Sequence, residues 1–166
     1  VKNNKPLSVI KPDPSKYAAE VPTLLTTTWG QQMPYNKLLP NTKKGRLITG
    51  CVATATAQVL NYFKYPVRGI GSHTVHYPAN DPSGVAISAD FGNTTYDWAN
   101  MKDDYSGNYT EAEANAVATL MLHCGVASEM QYGGPNEGSG AYMTDCAAGL
   151  RTYFGFTDAE YITRAD

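Results

Sequence analysis

A chain of 166 residues is long enough to bury one core, and its composition, 42% hydrophobic and only 17% charged, fits neither a disordered segment nor a repeat array. The formal net charge is -2 and the lysines and arginines are scattered, which excludes a basic surface built to track a phosphate backbone, so no nucleic-acid partner is expected. No apolar run reaches the ~20 residues of a membrane-spanning helix, and no membrane partner is expected either.

Residues 1–20, VKNNKPLSVIKPDPSKYAAE, hold three prolines and no sustained helical or strand period, which predicts an extended arm or processing remnant outside the core. Val1 opens without the basic and apolar regions of a signal peptide, so a processed or cut chain is expected. From Val21, VPTLLTTTWGQQMPYNKLLP mixes β-branched and apolar residues with Pro34 and Pro40, a pattern of short extended pieces and turns. The polar, glycine-bounded TKKGRLITG (42–50) then delivers the chain to CVATATAQVLNYFKY, whose spacing predicts a helix. Cys51, Ala55, Val59 and Phe63 share one apolar face of that helix, Val52 and Leu60 extend it, and Pro66 lies just past its end.

Residues 66–109 carry the turn signals Asn80-Asp81-Pro82 and Ser83-Gly84 in a Tyr- and Asn-rich stretch, read as irregular with short strands or turns. Thr110 followed by Glu113 is a capping-box signature for a second helix, with Ala114, Val117, Ala118, Met121 and Leu122 as its apolar stripe before Gly125. YGGPNEGSGA (132–141) is too rich in glycine to be regular, and TDCAAGLRTYFG forms a third helix ending at Gly155. Val126–Tyr132 and Phe156–Ile162 remain as strand candidates. The reading is an α-rich half of an α+β protein.

Chemistry concentrates at Cys51. A thiol in the first turn of a helix faces unpaired backbone N–H groups and the positive end of the helix dipole, which stabilise an anion there. The small residues of VATATAQ leave room for a substrate backbone to approach the sulfur. The residues alone equally allow a buried structural cysteine in an Ala-rich helix. The count of three cysteines leaves at least one thiol unpaired, and the absence of a CxxC pair or close Cys/His cluster gives no expectation of a structural zinc site. Cys124 and Cys146 are open to two readings, a disulfide or two buried reduced thiols.

GCVATATAQVLNYFKYP, Gly50 to Pro66, resembles the nucleophile motif of the streptopain family of papain-like cysteine proteases. WGQQMPYNKLLP resembles the family's segment near the mature N-terminus. YDWANM and Tyr105-Ser106-Gly107 resemble its inter-helix region, and ATLMLHCGVASEMQY with GSGA its second helix and cleft loop. The likeness runs from about residue 21 to 166 and is nearest to Bacteroidetes members. It implies a papain-like fold, here an α-rich lobe with the nucleophile at the N-terminus of the central helix and the β-rich lobe absent from this chain. It also implies Cys51 as nucleophile and Gln31 as the side-chain amide of the oxyanion hole, where a neutral N–H donor helps hold the tetrahedral intermediate. Gly138, Ser139, Gly140 and Ala141 would line the substrate cleft with bare backbone, or else form a surface turn.

Such a site also needs an imidazole to take the thiol proton. The resemblance puts that histidine in a C-terminal half with no counterpart before Asp166. His73 and His76 fall in an irregular loop. His123 precedes Cys124, but helical neighbours point about 100° apart, which removes a dyad; His123 is read on the solvent or interface side. The reading is a secreted or cell-surface bacterial endopeptidase without metal or organic cofactor. Its partners would be a peptide or protein substrate and the His-bearing half, residues 21–166 being the N-terminal half of the catalytic domain. The competing class is a protease-like module that binds peptides without hydrolysing them.

Overall fold

The computed structural model describes residues 22–163, so the expected arm at 1–20 lies outside the described residues. β1 (Asn41–Thr42) and β2 (Gly45–Arg46) make a short antiparallel hairpin, and α1 (Cys51–Phe63) follows. β3 (Ser72–Tyr77) and β4 (Val85–Asp90) make a second hairpin, in register from Ser72↔Asp90 to Tyr77↔Val85. A 3-10 turn at Trp98–Asn100 leads to α2 (Glu111–Ala127) and α3 (Met143–Phe154).

α2 organises the core. Its capping box is formed as the sequence predicts: the Glu113 N–H donates to Thr110 Oγ1 at 3.2 Å and the Thr110 N–H donates to the Glu113 carboxylate at 2.6 Å. From Ala114 to Ala127 buried residues occur on every side of the helix, the condition of a helix enclosed by other elements. α1 covers one flank, while β3–β4 and α3 cover others. The hairpin sends Val75, Ile87 and Ala89 inward at the two-residue period of a half-buried strand. α3 approaches so closely that a side chain at Gly149 would overlap the carbonyl oxygen of Ala127.

Five expectations are corrected. Val126–Tyr132 is not a strand: α2 runs through Gly125 to Ala127, and only Gln131 makes a β-bridge, to Gly140. The hydroxyl of buried Tyr132 occupies the space a side chain at Gly125 would need, so that glycine serves packing within the helix. Phe156–Ile162 is not a strand either; Phe156 instead sets its ring 5.2 Å from Tyr65 and 6.2 Å from Phe63. His123 does not face solvent. It is 4% exposed, with Tyr96 Oη 2.9 Å from its Nδ1 and the Phe91 ring edge-on at 4.8 Å, because α2 has no solvent side at that level. His73 and His76 lie not in an irregular loop but in strand β3, paired to β4. Finally, the apolar face that identifies α1, Cys51, Ala55, Val59 and Phe63, is exposed, and the helix buries Ala53, Thr54, Thr56, Ala57, Leu60 and Asn61. Both sides of α1 are rich in small or apolar residues, and a period cannot say which one this lobe covers.

All three cysteines are free. Cys124 is fully enclosed, and burial pushes its thiol well above the usual range, with Cys146 adding to the effect. Cys146 is buried with its sulfur 3.2 Å from Thr56 Oγ1. The two-thiol alternative is the one realised.

Candidate active site

Residues 47–50 carry the chain to α1 as an extended segment held on both sides. Leu47 is fully buried and its N–H donates to Pro40 O at 3.0 Å; the Ile48 N–H donates to Gly133 O at 3.1 Å and the Thr49 N–H to Gln31 O at 3.2 Å. Gly50 then turns into the helix at φ 85, a left-handed conformation that a side chain would strain, and a Cβ there would come within 2.7 Å of Met130 Sδ. Thr54 closes the turn by donating from Oγ1 to Gly50 O at 2.9 Å, with Thr49 Oγ1 3.0 Å away.

Gly50 provides no side-chain cap, so the N–H groups of the first turn of α1 are left without one. The Cys51 N–H has no acceptor among the described residues, and the Cys51 side chain is exposed. Together they form an electropositive helix end with an accessible sulfur beside it.

The segment 27–36 lies across this end. Thr27 Oγ1 donates to Gln58 Oε1 on α1 at 2.8 Å, and Trp29 Nε1 donates to Lys102 O at 2.8 Å. Trp29 and Tyr35 pack at 6.4 Å, and Tyr35 packs edge-on against Tyr105 at 5.5 Å. This clamp puts Gln31 on the wall of a cavity of about 680 Å³ that also holds Cys51, Trp29, Ile48 and Ala55. Two residues twenty positions apart thus share one concavity.

The 138–141 loop does not share it. Gly138, Ser139, Gly140 and Ala141 line a separate cavity of about 510 Å³ with Gln131 and Tyr142. The backbone of Gly140 is spent internally: its N–H donates to Gln131 O at 3.1 Å and its carbonyl accepts from the Gln131 N–H at 2.8 Å. The Ser139 and Ala141 N–H groups have no partner among the described residues. Sequence reasoning missed Met130, Thr49 and Thr54, which shape the turn before Cys51; the glycine immediately ahead of a helix was the one available signal.

None of the three histidines lines the Cys51 cavity. His73 Nε2 is 2.6 Å from Glu129 Oε1, a close contact at an angle poor for a hydrogen bond, and its ring stacks on Tyr153. His76 lies in β3, and His123 is in the core, where burial lowers its pKa to about 4 against a small opposing effect of Asp90.

A helix whose uncapped N-terminus bears an exposed cysteine, in a lobe of three helices and two short hairpins, is the arrangement that a papain-like thiol protease fold presents. The profile of the peptidase C10 family matches residues 29–166, and the chain belongs to that family. It is 32% identical over 152 residues to streptopain of Streptococcus pyogenes, the match covering 83% of this chain and 38% of streptopain. It is 30% identical over 139 residues to the thiol protease/hemagglutinin PrtT of Porphyromonas gingivalis, covering 82% of this chain and 16% of that protein. The structure of the active wild-type interpain A cysteine protease of Prevotella intermedia superposes with a TM-score of 0.90 at 97% identity, over 94% of this chain and 63% of that one. A prointerpain A fragment from the same organism gives the same TM-score and identity over 97% of this chain and 51% of its own. The chain thus spans well under half of streptopain and between half and two thirds of the interpain chains.

Proposed function

We propose that this chain is the nucleophile half, residues 21–166, of a secreted bacterial cysteine endopeptidase that is completed by a C-terminal half carrying the catalytic histidine. The observation that carries the reading is the pairing of Cys51 and Gln31 in one cavity at the uncapped start of α1, in a member of a cysteine protease family.

The Cys51 sulfur attacks the scissile carbonyl of a bound peptide, and the imidazole of the second half takes the thiol proton. The Cys51 N–H and the Gln31 side-chain amide hold the oxyanion, two donors aimed at one developing charge. Collapse breaks the C–N bond, the imidazolium returns the proton to the leaving amine, and water hydrolyses the thioester to free the acid and the thiol. The exposed stripe Ala55, Val59 and Phe63, continued by Tyr62 and Tyr65, is the surface on which the second half would close the cleft. No metal or organic cofactor enters these steps. Relatives in Streptococcus pyogenes and Porphyromonas gingivalis support the bacterial setting, and a low charge content the extracellular one.

Chain 1–166 expressed alone should show no peptidase activity, and adding the C-terminal half should restore it. Peptide mapping of the assembled protein after brief iodoacetamide treatment should find Cys51 labelled first. Prior labelling of Cys124 or Cys146, or turnover by the monomeric isolated chain, would overturn the proposal.

A further inference from the structure

We infer that Ser139 is a positioning residue that sets the placement of Gly50 and Cys51 through its hydroxyl, rather than a side chain that reads substrate. The inference rests on the protease reading of Cys51 given above.

Ile48 and Gly133 face each other in an incomplete antiparallel pairing. Antiparallel partners of the hydrogen-bonded kind exchange two N–H to O=C bonds. Ile48 and Gly133 make one of these directly, from the Ile48 N–H to Gly133 O at 3.1 Å. The other is relayed: the Gly133 N–H donates to Ser139 Oγ at 2.9 Å, and Ser139 Oγ–H donates to Ile48 O at 2.7 Å. A hydroxyl has one proton to give, and Gly133 O, at 3.3 Å, is the more distant acceptor. The three groups close a ring in which the serine hydroxyl replaces a direct backbone bond.

The ring holds the last stretch of chain before the nucleophile. Ile48 is three residues from Cys51, and Thr49 is bonded on its other side to the backbone of Gln31. Behind Gly50, the open position of its missing Cβ lies 3.1 Å from Ser139 O and 2.7 Å from Met130 Sδ. The segment is therefore set between Gln31 on one side and Ser139 on the other, and the separation of the oxyanion donors depends on both. Ser139 also couples the two cavities, since Ile48 lines the one with Cys51 and Ser139 lines the other. A hydroxyl engaged as donor to Ile48 and acceptor from Gly133 has no proton left for a peptide.

The test uses the assembled protease, with its C-terminal half, and compares wild type with Ser139→Ala, Ser139→Thr and Ser139→Cys. Ser139→Ala should lower kcat for a peptide substrate by about 10- to 100-fold, the scale of a displacement of about 1 Å in a reacting group. KM should stay within about twofold. Iodoacetamide, too small to use a peptide subsite, should alkylate Cys51 more slowly by a similar factor, and Ser139→Thr, which keeps the hydroxyl, should restore both rates. Should Ser139→Ala not fold, Ser139→Cys, a weaker donor at the same place, must show the same loss of kcat at constant KM. A raised KM with kcat unchanged would make the hydroxyl a substrate contact, and a lowered Tm with both constants unchanged would make it structural only; either overturns the inference while leaving the protease reading intact. A wild-type assembly without activity and without preferential labelling of Cys51 would overturn both.

Discussion

The two sides of α1 are built from similar residues and have opposite fates. Its inner side, with Ala53, Ala57 and Leu60, is fully buried against the lobe, whereas the outer side leaves Val59 at 42%, Tyr62 at 49% and Phe63 at 58% exposure. α2 shows what happens when a helix is enclosed, for beyond its exposed first turns, at Glu111, Ala112 and Asn115, it is buried on nearly every side. An apolar stripe marks a contact surface, and only the packing says whether that contact is made within the lobe or offered to something else. On α1 the offered side is the one that bears Cys51.

The contrast is sharpest when the cavity beside the outer side is altered at Gln31. Gln31→Ala in the assembled protease should reduce kcat by roughly 10² to 10³, the usual loss for one oxyanion donor, with little change in KM or Tm. Gln31 is only partly buried, and its backbone tie to Thr49 does not use its side chain. Unchanged kcat in steady-state assays would separate the two residues of the shared cavity and remove Gln31 from the chemistry.

A paired substitution compares the sides of α1 in one experiment. Leu60→Ala, at a fully buried site, should cost about 2–5 kcal/mol of unfolding free energy. Phe63→Ser, on the outer side, should change the stability of the isolated chain by about 0.5 kcal/mol or less and weaken its association with the C-terminal half. Urea denaturation of chain 1–166 together with a binding titration reads both quantities. Equal destabilisation by the two variants would mean that the outer side belongs to this lobe's core.

A last effect concerns pH and the buried His123 of α2. Burial keeps His123 neutral and lowers its pKa to about 4, from 6.5 for the unperturbed imidazole. Because the unfolded chain takes up the proton first, this contribution to stability is complete above about pH 6.5. It is lost as pH falls from there towards 4. Denaturation at pH 7.5, 6 and 4.5 should show a progressive loss that is reduced in His123→Gln. A slope of equal size in the variant would assign the pH dependence to other groups.

Local signals in the sequence were legible where a few adjacent residues decide the outcome. The capping box of Thr110 and Glu113, the glycine at 155 that ends α3 at φ 74, and the helix opening at Cys51 all depend on one turn of chain. Long-range outcomes were not legible. Whether Gly125 stops a helix or accommodates Tyr132, and whether His123 meets water or Phe91, depends on elements distant in the chain. The β3–β4 hairpin was half visible: its turn residues are strong, and Asp81 accepts from the Ser83 N–H at 3.0 Å as such a turn demands. Its strands alternate too briefly to be separated from irregular chain by period alone.

For the site the division follows the same physics. The sequence by itself determined the thiol at a helix start, through residue type and local spacing, and the family resemblance, which alone implied the amide at Gln31. Tertiary structure alone decided that Cys51 and Gln31 share a cavity and that the 138–141 loop lines another. It also decided that the Ser139 hydroxyl turns inward to Ile48 and Gly133. Those facts arise from hydrogen bonds that close between segments up to about ninety residues apart. No local pattern specifies them, since each donor could have been satisfied equally well by water until the packing of α1 against α2 brought its partner within reach.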